Sequence, residues 1–249
     1  MSHICRIFAL SMYKKELKYY FSTPIAYIVI GLYLLTVSLF LWVIPGQWNI
    51  PESGYAQVDG LFNLSPWLFM LLCPALTMRL FAEERQSGTW ALLKSKPIVL
   101  WKIVSGKYLA AWTIVVLAQL PCIVHYFLVY YLAEPVGNID SGAFFGSFIG
   151  LLFLSSAFCA IGTFASSLTR SQIVAFIAGA AGCFIMFYGF DLLASMLSNA
   201  RMIAALQWCG LSSHYTSISE GVIDLRDVVY FLSVSLVFVL LTIQTMKRK

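Results

Sequence analysis

Long uncharged stretches alternate with short polar segments along most of the chain. Six stretches approach or exceed about 20 apolar residues, the length that an α-helix needs to cross the hydrocarbon core of a bilayer. The pattern predicts six transmembrane helices, at about 24–44, 61–80, 108–132, 143–168, 172–193 and 228–246. Residues 1–23 mix basic side chains with aromatic and aliphatic ones, which is typical of a helix lying in the membrane interface.

The composition excludes an ordinary soluble protein. The 249 residues are 60% hydrophobic and 11% charged, whereas soluble domains are about 25% charged. We therefore predict an all-α integral membrane protein that forms one transmembrane domain over residues 1–249. The six cysteines contain no Cys-x-x-Cys pair, so the sequence predicts neither a metal site nor a disulfide framework.

The distribution of basic residues predicts the orientation. If both termini are cytoplasmic, the inner segments contain all of the 16 Lys and Arg residues except Arg201 and Arg226. This arrangement obeys the positive-inside rule, and it explains the net charge of +5 without a nucleic-acid partner. The longest outer segment is 192–227, and its moderately apolar part at 200–211 is expected to form a short helix at the outer leaflet.

The densest charge lies between the second and third predicted spans, in residues 81–97 (FAEERQSGTWALLKSKP). Charges open the segment, Gly88 interrupts it, an apolar group follows and Pro97 ends it. We interpret the segment as a short amphipathic helix or helix-turn-helix against the membrane, with one face free to dock a cytoplasmic partner. The alternative is a solvated loop that only joins two spans.

The sequence lacks the motifs of an ATPase and of a zinc-dependent protease. It has no G-x-x-x-x-G-K-[ST] phosphate loop and no H-E-x-x-H pair, so no catalytic or cofactor-binding residue is assigned. The predicted spans contain almost no charge, which argues against an ion-driven carrier or stand-alone channel. Asp191 and the group of Gln119, Pro121 and His125 are interpreted as boundary or packing residues.

Three glycines, Gly142, Gly146 and Gly150, are spaced four residues apart at the start of the fourth predicted span. This spacing puts them on one helix face and lets another helix approach closely. Packing within the subunit is the favoured interpretation, and a dimer interface is the alternative.

Residues 81–97 resemble the cytoplasmic segment after the second span of ABC-2 type transporter permeases. In that family a Glu-Glu pair, a basic residue, Gly-Thr, a Leu pair and Pro follow in this order. Residues 101–108 are similar to the family's lead into the third span. Residues 14–27 and 219–231 are most similar to the permease subunit of the gliding-motility-associated ABC transporter of Bacteroidota.

The resemblance implies a permease subunit of an exporter in the bacterial inner membrane, with ATP bound by a separate cytoplasmic ATPase. The other implied partners are membrane lipid, a second permease half of the same or a different chain, and a periplasmic or auxiliary membrane subunit. The segment 83–97 would be the coupling helix that docks on the ATPase. In this helix Glu83, Glu84 and Arg85 would make polar contacts, and Gly88 and Thr89 would form the turn. Leu92 and Leu93 would pack under the spans, and Pro97 would end the helix.

Two functions follow from this sequence. The first is a membrane permease that couples ATP hydrolysis by a separate subunit to export. The alternative is a scaffold of an ABC-like envelope or motility complex that moves no solute. A mostly apolar pathway suits a lipid, a peptide or a glycan, so the substrate is not specified.

Overall fold

The computed structural model describes residues 2–90, 99–219 and 224–248. These residues form helices and connecting segments, with no β-strand among them, as the apolar pattern predicts. We number the α-helices in chain order. They are α1 Ser2–Ser22, α2 Pro24–Trp42, α3 Ile50–Ser53, α4 Asp59–Thr77, α5 Arg79–Gln86, α6 Leu100–Gln119, α7 Ile123–Leu132, α8 Ser141–Leu168, α9 Gln172–Phe184, α10 Phe190–Ser195, α11 Ala200–Gln207, α12 Leu211–Ser219 and α13 Leu225–Arg248.

Within the described part of the chain, six helical runs are long and apolar enough to cross a membrane, which confirms the predicted number of spans. They are Pro24–Trp42, Asp59–Gln86, Leu100–Leu132, Ser141–Leu168, Gln172–Ser195 and Leu225–Arg248. The third begins at Leu100 rather than near residue 108 because its helix continues through Lys102 and Lys107. Both of these lysines are buried by protein.

Helix α8 lies at the centre of the bundle and packs against α4, α9, α12 and α13. Of its most apolar stretch, 78% is buried, against 28%, 22% and 17% for the first, fifth and sixth spans. Small residues allow this close packing. At Gly162, an added Cβ would lie 3.3 Å from the Cα of Pro74 in α4. The first, fifth and sixth spans therefore leave most of their surface for lipid or for another chain.

Three of these helical runs are not uniform α-helices, and the second is broken only at Met78, between α4 and α5. In the third, a 3₁₀ turn at Leu120–Cys122 separates α6 from α7 and contains Pro121, which lacks a backbone N–H. In the fifth, a π-helical turn at Ile185–Gly189 separates α9 from α10. Turns of this kind interrupt the regular hydrogen-bond pattern and often mark functional sites in membrane helices.

The segment between the fifth and sixth spans contains α11 and α12. Helix α11 falls where a short helix was expected, and none of its residues is buried. Helix α12 contacts α8, and the hydroxyl of Tyr215 donates to the carbonyl of Phe62 at 2.7 Å. This end of the bundle is therefore covered by α12, while α11 packs against α10.

Helix α1 packs along α6 and is attached to the spans by side-chain hydrogen bonds. The hydroxyl of Tyr20 donates to the carbonyl of Leu76 at 2.8 Å, and Tyr13 pairs with Thr113 at 3.1 Å. Burial raises the pKa of the Tyr20 phenol well above its usual range. Residues 2–22 thus form a helix that is joined to the bundle through two tyrosines, and its place in the membrane interface stays a prediction.

Candidate functional site

The charged stretch that follows α4 begins as a helix, which forms the end of the second helical run, Asp59–Gln86. Helix α5 spans Arg79–Gln86, and Gly88 follows with a φ of +74°, a conformation that residues with a side chain rarely adopt. The hydroxyls of Ser87 and Thr89 lie 2.9 Å apart in this turn. Residues 86–89, which we call the exposed turn, are all solvent-accessible. Leu92, Leu93 and Pro97, also assigned to the docking segment, lie outside the described residues.

Lys107 connects α5 to two other helices. Its ammonium lies 2.9 Å from a carboxylate oxygen of Glu16 in α1 and 2.9 Å from one of Glu84 in α5. It also donates to the carbonyl of Leu80 at 2.9 Å, so all three of its hydrogens have an acceptor. The Lys107 side chain is only 2% exposed. Glu84 therefore pairs with Lys107 within the chain through one of its carboxylate oxygens.

Arg85 attaches α5 to the end of α8. Its Nη1 donates to the carbonyl of Ser167 at 2.7 Å and to that of Thr169 at 3.3 Å. A guanidinium in this place satisfies carbonyls that a helix C-terminus leaves without a partner, and it interacts favourably with the helix dipole. Like Glu84, Arg85 makes its observed polar contacts inside the subunit.

Ser166 adds a second link between α5 and α8. Its hydroxyl accepts from the backbone N–H groups of Phe81 and Ala82, at 3.1 and 3.2 Å, and donates to the carbonyl of Met78 at 2.7 Å. The first N–H groups of a helix have no partner within the helix, and here a side chain of the central span supplies one. The first turn of α5 is therefore fixed on α8.

Glu83 has 44% of its side chain accessible, against 16% for Glu84. Its carboxylate accepts from the Tyr19 hydroxyl at 3.3 Å and lies 3.7 Å from Nε of Arg79. The Arg79 guanidinium in turn lies over the Tyr19 ring, 4.0 Å from its centroid. Glu83 thus joins α5 to α1 at the surface of the bundle.

A cavity of about 490 Å³ lies between α1, α5 and α6. We call it the α1–α5 cavity. Its lining is Lys15, Glu16, Lys18, Tyr19, Ser22, Arg79, Leu80, Glu83, Glu84, Ser87, Thr89 and Lys107. The cavity therefore combines cations, carboxylates and hydroxyls, and it reaches the exposed turn through Ser87 and Thr89.

The three spaced glycines of α8 do not share one environment. An added Cβ at Gly150 would lie 2.7 Å from Cγ2 of Ile218, so α12 of the same chain approaches closely there. Gly146 is buried, whereas Gly142 is exposed at the beginning of the helix. The close approach at Gly150 is therefore packing within the subunit.

The polar residues noted within the spans have contrasting surroundings. The indole N–H of Trp42 donates to Nδ1 of His125 at 3.0 Å, and Nε2 of His125 lies 3.4 Å from the hydroxyl of Ser38. Gln119 is fully buried, and its amide group has no hydrogen-bond partner among the described residues. His125 is thus a packing residue with hydrogen-bond partners. The buried amide of Gln119, beside the 3₁₀ turn, has a cost in folding free energy because it lacks them.

Three groups of functional interest were missed by sequence reasoning. Lys107 and Glu16 lie far apart in the sequence, and only the tertiary structure brings them to Glu84. A second buried pair, His214 and Asp227, joins α12 to α13 with 2.6 Å between Nδ1 and Oδ1. Tyr230 stacks on the His214 ring with 4.0 Å between centroids. The available sequence signal for Lys107 was a charged residue in a largely apolar stretch, since a charged residue that such a helix buries needs a partner.

The chain was compared with known proteins in two ways. The sequence model of the family described as ABC-2 family transporter protein matches residues 50–246, which include all spans except the first. A comparison with curated proteins returned no match.

Proposed function

The chain belongs to this ABC-2 transporter family, and from that premise we propose that its exposed turn docks a separate cytoplasmic ATPase and that α5 passes the motion to the spans. Members of the family are membrane permeases of ABC transport. They normally work with a cytoplasmic ABC ATPase and pair with another permease. The chain itself has no phosphate loop, so the nucleotide would be bound by the partner.

The attachment of α5 supports this proposal most strongly. Its charged residues are mostly engaged inside the subunit, through Glu84 to Lys107 and through Arg85 to Ser167. A force applied at residues 86–89 would therefore reach α8, α1 and α6 without bending α5. The exposed turn, and not the Glu84–Arg85 pair, is the surface offered to the ATPase.

The proposed topology puts both termini, α1 and α5 on the cytoplasmic side of the bacterial inner membrane. The excess of Lys and Arg on these segments supports this orientation. A second permease half, identical or different, would cover part of the first, fifth or sixth span, since these are the least buried. The resemblance of residues 14–27 and 219–231 supports a role of the exporter in gliding motility.

A pull-down with one substitution on each side of the membrane tests the docking surface. Thr89→Arg places a bulky cation in the exposed turn, and Thr216→Arg makes the same change on an exposed position of α12. Each tagged variant is solubilised gently, and bound proteins are identified. We expect a Walker-motif ATPase with the native chain and with Thr216→Arg, but not with Thr89→Arg. Equal recovery with both variants would overturn the assigned surface.

A further inference from the structure

A second cavity, of about 500 Å³, lies between the start of α4 and the loop that joins the first two spans. We call it the α3–α4 cavity. Under the proposed topology it opens on the outer side of the membrane, away from the exposed turn. None of the described residues that line it is a Lys, an Arg or a His, and among them only Asp59 carries a charge. The cavity therefore disfavours an anionic ligand.

The wall formed by α4 presents polar and aromatic side chains in one line. Asp59, Asn63 and Trp67 follow one another at intervals of four residues, a spacing that puts them on one face of the helix. All three are exposed. They extend over about 12 Å, since an α-helix rises about 1.5 Å per residue. The wall is therefore long enough to contact more than one ring of a linear ligand.

The opposite wall is a loop whose shape is fixed by hydrogen bonds. The Asn49 side chain accepts from the backbone N–H of Glu52 at 3.1 Å, and the Glu52 carboxylate accepts from the N–H of Gly46 at 3.0 Å. At Gly60 the helix approaches this loop so closely that an added Cβ would lie 2.9 Å from the carbonyl oxygen of Trp48. Both walls of the cavity are thus held in place by the protein itself.

Four polar side chains around the cavity take no part in this hydrogen bonding. Gln47, Gln57 and Asn63 carry amides, Asp59 carries a carboxylate, and all four are exposed. None of them makes a side-chain hydrogen bond to another residue in the described part of the chain. An amide group offers both donors and acceptors. The cavity therefore suits a ligand with many neutral groups that donate and accept, such as hydroxyls.

Two indole rings complete the cavity, and each contacts a neighbouring ring. Trp48 packs on Phe40 with 5.9 Å between the ring centroids. Trp67, which is 43% exposed, packs on Tyr188 of the π turn with 5.4 Å between the centroids. The face of an aromatic ring is negative, so it attracts the weakly positive C–H groups of a sugar ring. The indoles therefore supply stacking surfaces beside the free amides.

We propose that the α3–α4 cavity binds an uncharged oligosaccharide on the outer side of the membrane. Trp48 and Trp67 stack on sugar rings, and the three amides bind their hydroxyls. Asp59 accepts from a hydroxyl and repels acidic sugars, because like charges repel. A concave site with apolar surfaces and a few placed polar groups is typical of ligand binding. The side of the membrane rests on the proposed topology, whereas the binding itself does not.

Titration of the purified full-length chain without an ATPase tests the class of ligand. The protein is kept in a detergent that has no sugar headgroup. Cellotetraose, maltotetraose and chitotetraose are compared with the acidic tetragalacturonate by isothermal titration calorimetry. We expect at least one neutral tetrasaccharide to bind with a Kd below about 1 mM, and tetragalacturonate to bind about tenfold more weakly or worse. Failure of all three neutral probes, or equal binding of tetragalacturonate, would overturn the proposal.

Two pairs of variants locate the site with the neutral probe that binds most tightly. Trp67→Ala removes a stacking surface and should weaken binding about tenfold, whereas Trp208→Ala changes an exposed indole outside the cavity and should not. Asn63→Ala removes hydrogen bonds to hydroxyls and should weaken binding about fivefold. Asn138→Ala is its control, because Asn138 is exposed but does not line the cavity. Equal binding within both pairs would contradict the site.

The length of the ligand is tested with the matching monosaccharide. One ring does not extend along the whole wall from Asp59 to Trp67, so the monosaccharide should bind about tenfold more weakly than the tetrasaccharide. A monosaccharide that binds as tightly would contradict an oligosaccharide site. Because these titrations use the permease alone, their failure would leave the docking assignment of the exposed turn intact.

Discussion

Lys107 is the residue that most clearly joins structure to the proposed coupling. It is almost fully buried, and each hydrogen of its ammonium has an acceptor at 2.9 Å. Such a side chain adds little net stability compared with an apolar residue, but it makes the position of each helix depend on the others. Through it, α1, α5 and α6 are fixed at one point.

Replacing Lys107 should therefore destabilise the protein strongly. Lys107→Met leaves Glu16 and Glu84 facing each other without a counter-charge, and breaking a buried pair in this way costs about 3–5 kcal/mol. We expect a clear fall in the unfolding temperature of the purified protein in detergent, measured by intrinsic fluorescence. Lys14→Met, on the exposed face of α1, should have almost no effect.

The same measurement distinguishes electrostatics from packing. When Glu16→Gln and Glu84→Gln are added to Lys107→Met, the uncompensated carboxylates disappear, and much of the lost stability should return. A triple variant as unstable as Lys107→Met would contradict the role given to these charges.

Some of these residues could be recognised from the sequence and others could not. The interruption at Gly88 was predictable, because glycine is favoured where the backbone needs a positive φ. The partners of Glu84 and Arg85 were not, because hydrogen bonds to Lys107 and to the end of α8 depend on tertiary packing. The docking role of Glu83, Glu84 and Arg85 stays a prediction, and the structure adds their contacts within the subunit.

At the scale of elements, α5 is a short helix that is attached to α8 at both of its ends. Ser166 binds its first turn and Arg85 binds from its last. This arrangement predicts that docking and coupling can be separated by substitution, since the exposed turn is not part of either attachment.

Arg85→Ala should leave the ATPase bound but reduce its coupling to the permease. The substitution removes a charged hydrogen bond, which contributes about 1.5–3 kcal/mol, so α5 should detach from α8 at least tenfold more often. We expect normal recovery of the ATPase in a pull-down and a lower ATP hydrolysis rate of the reconstituted complex. Arg201→Ala, an exposed arginine on α11, is the control. Loss of ATPase binding in Arg85→Ala alone would show that Arg85 is itself a docking residue.

The packing of α8 on α4 predicts a different response. A side chain at Gly162 would meet the Thr77 hydroxyl and the Pro74 backbone, so Gly162→Ala should cost about 1–3 kcal/mol through overpacking. Gly31→Ala is the matched control within a span, because nothing lies within 4 Å of an added Cβ there. Unfolding temperatures in detergent should fall for Gly162→Ala only, and equal values would contradict the close approach of the two helices.

Most elements were predictable because a membrane imposes a minimum length of apolar helix. The third helical run extends upstream of the predicted span to Leu100, and Lys102 and Lys107, which interrupt the apolar pattern there, are buried by protein. Pro121 signals the break between α6 and α7. The π turn at Ile185–Gly189 has no comparable signal, since its residues are as apolar as their neighbours.

At the scale of the whole molecule, the central helix α8 is the most buried span, and the spans around it are less buried. The exposed turn and the α1–α5 cavity lie on α1, α5 and α6. In contrast, α11 and α12 lie between the fifth and sixth spans, and the His214–Asp227 pair joins α12 to the first turn of the sixth. Under the proposed topology these two groups face opposite sides of the membrane. An ATPase should then reach only the first.

The most direct test is a photocrosslinking experiment in living cells. A photoreactive amino acid is placed at position 89 in the exposed turn or at position 216 on α12, and the crosslinked proteins are identified by mass spectrometry. The account predicts that a Walker-motif ATPase is crosslinked from position 89 and not from position 216. Two results would contradict the account. One is crosslinking of the ATPase from position 216, and the other is the absence of a crosslinked ATPase from position 89.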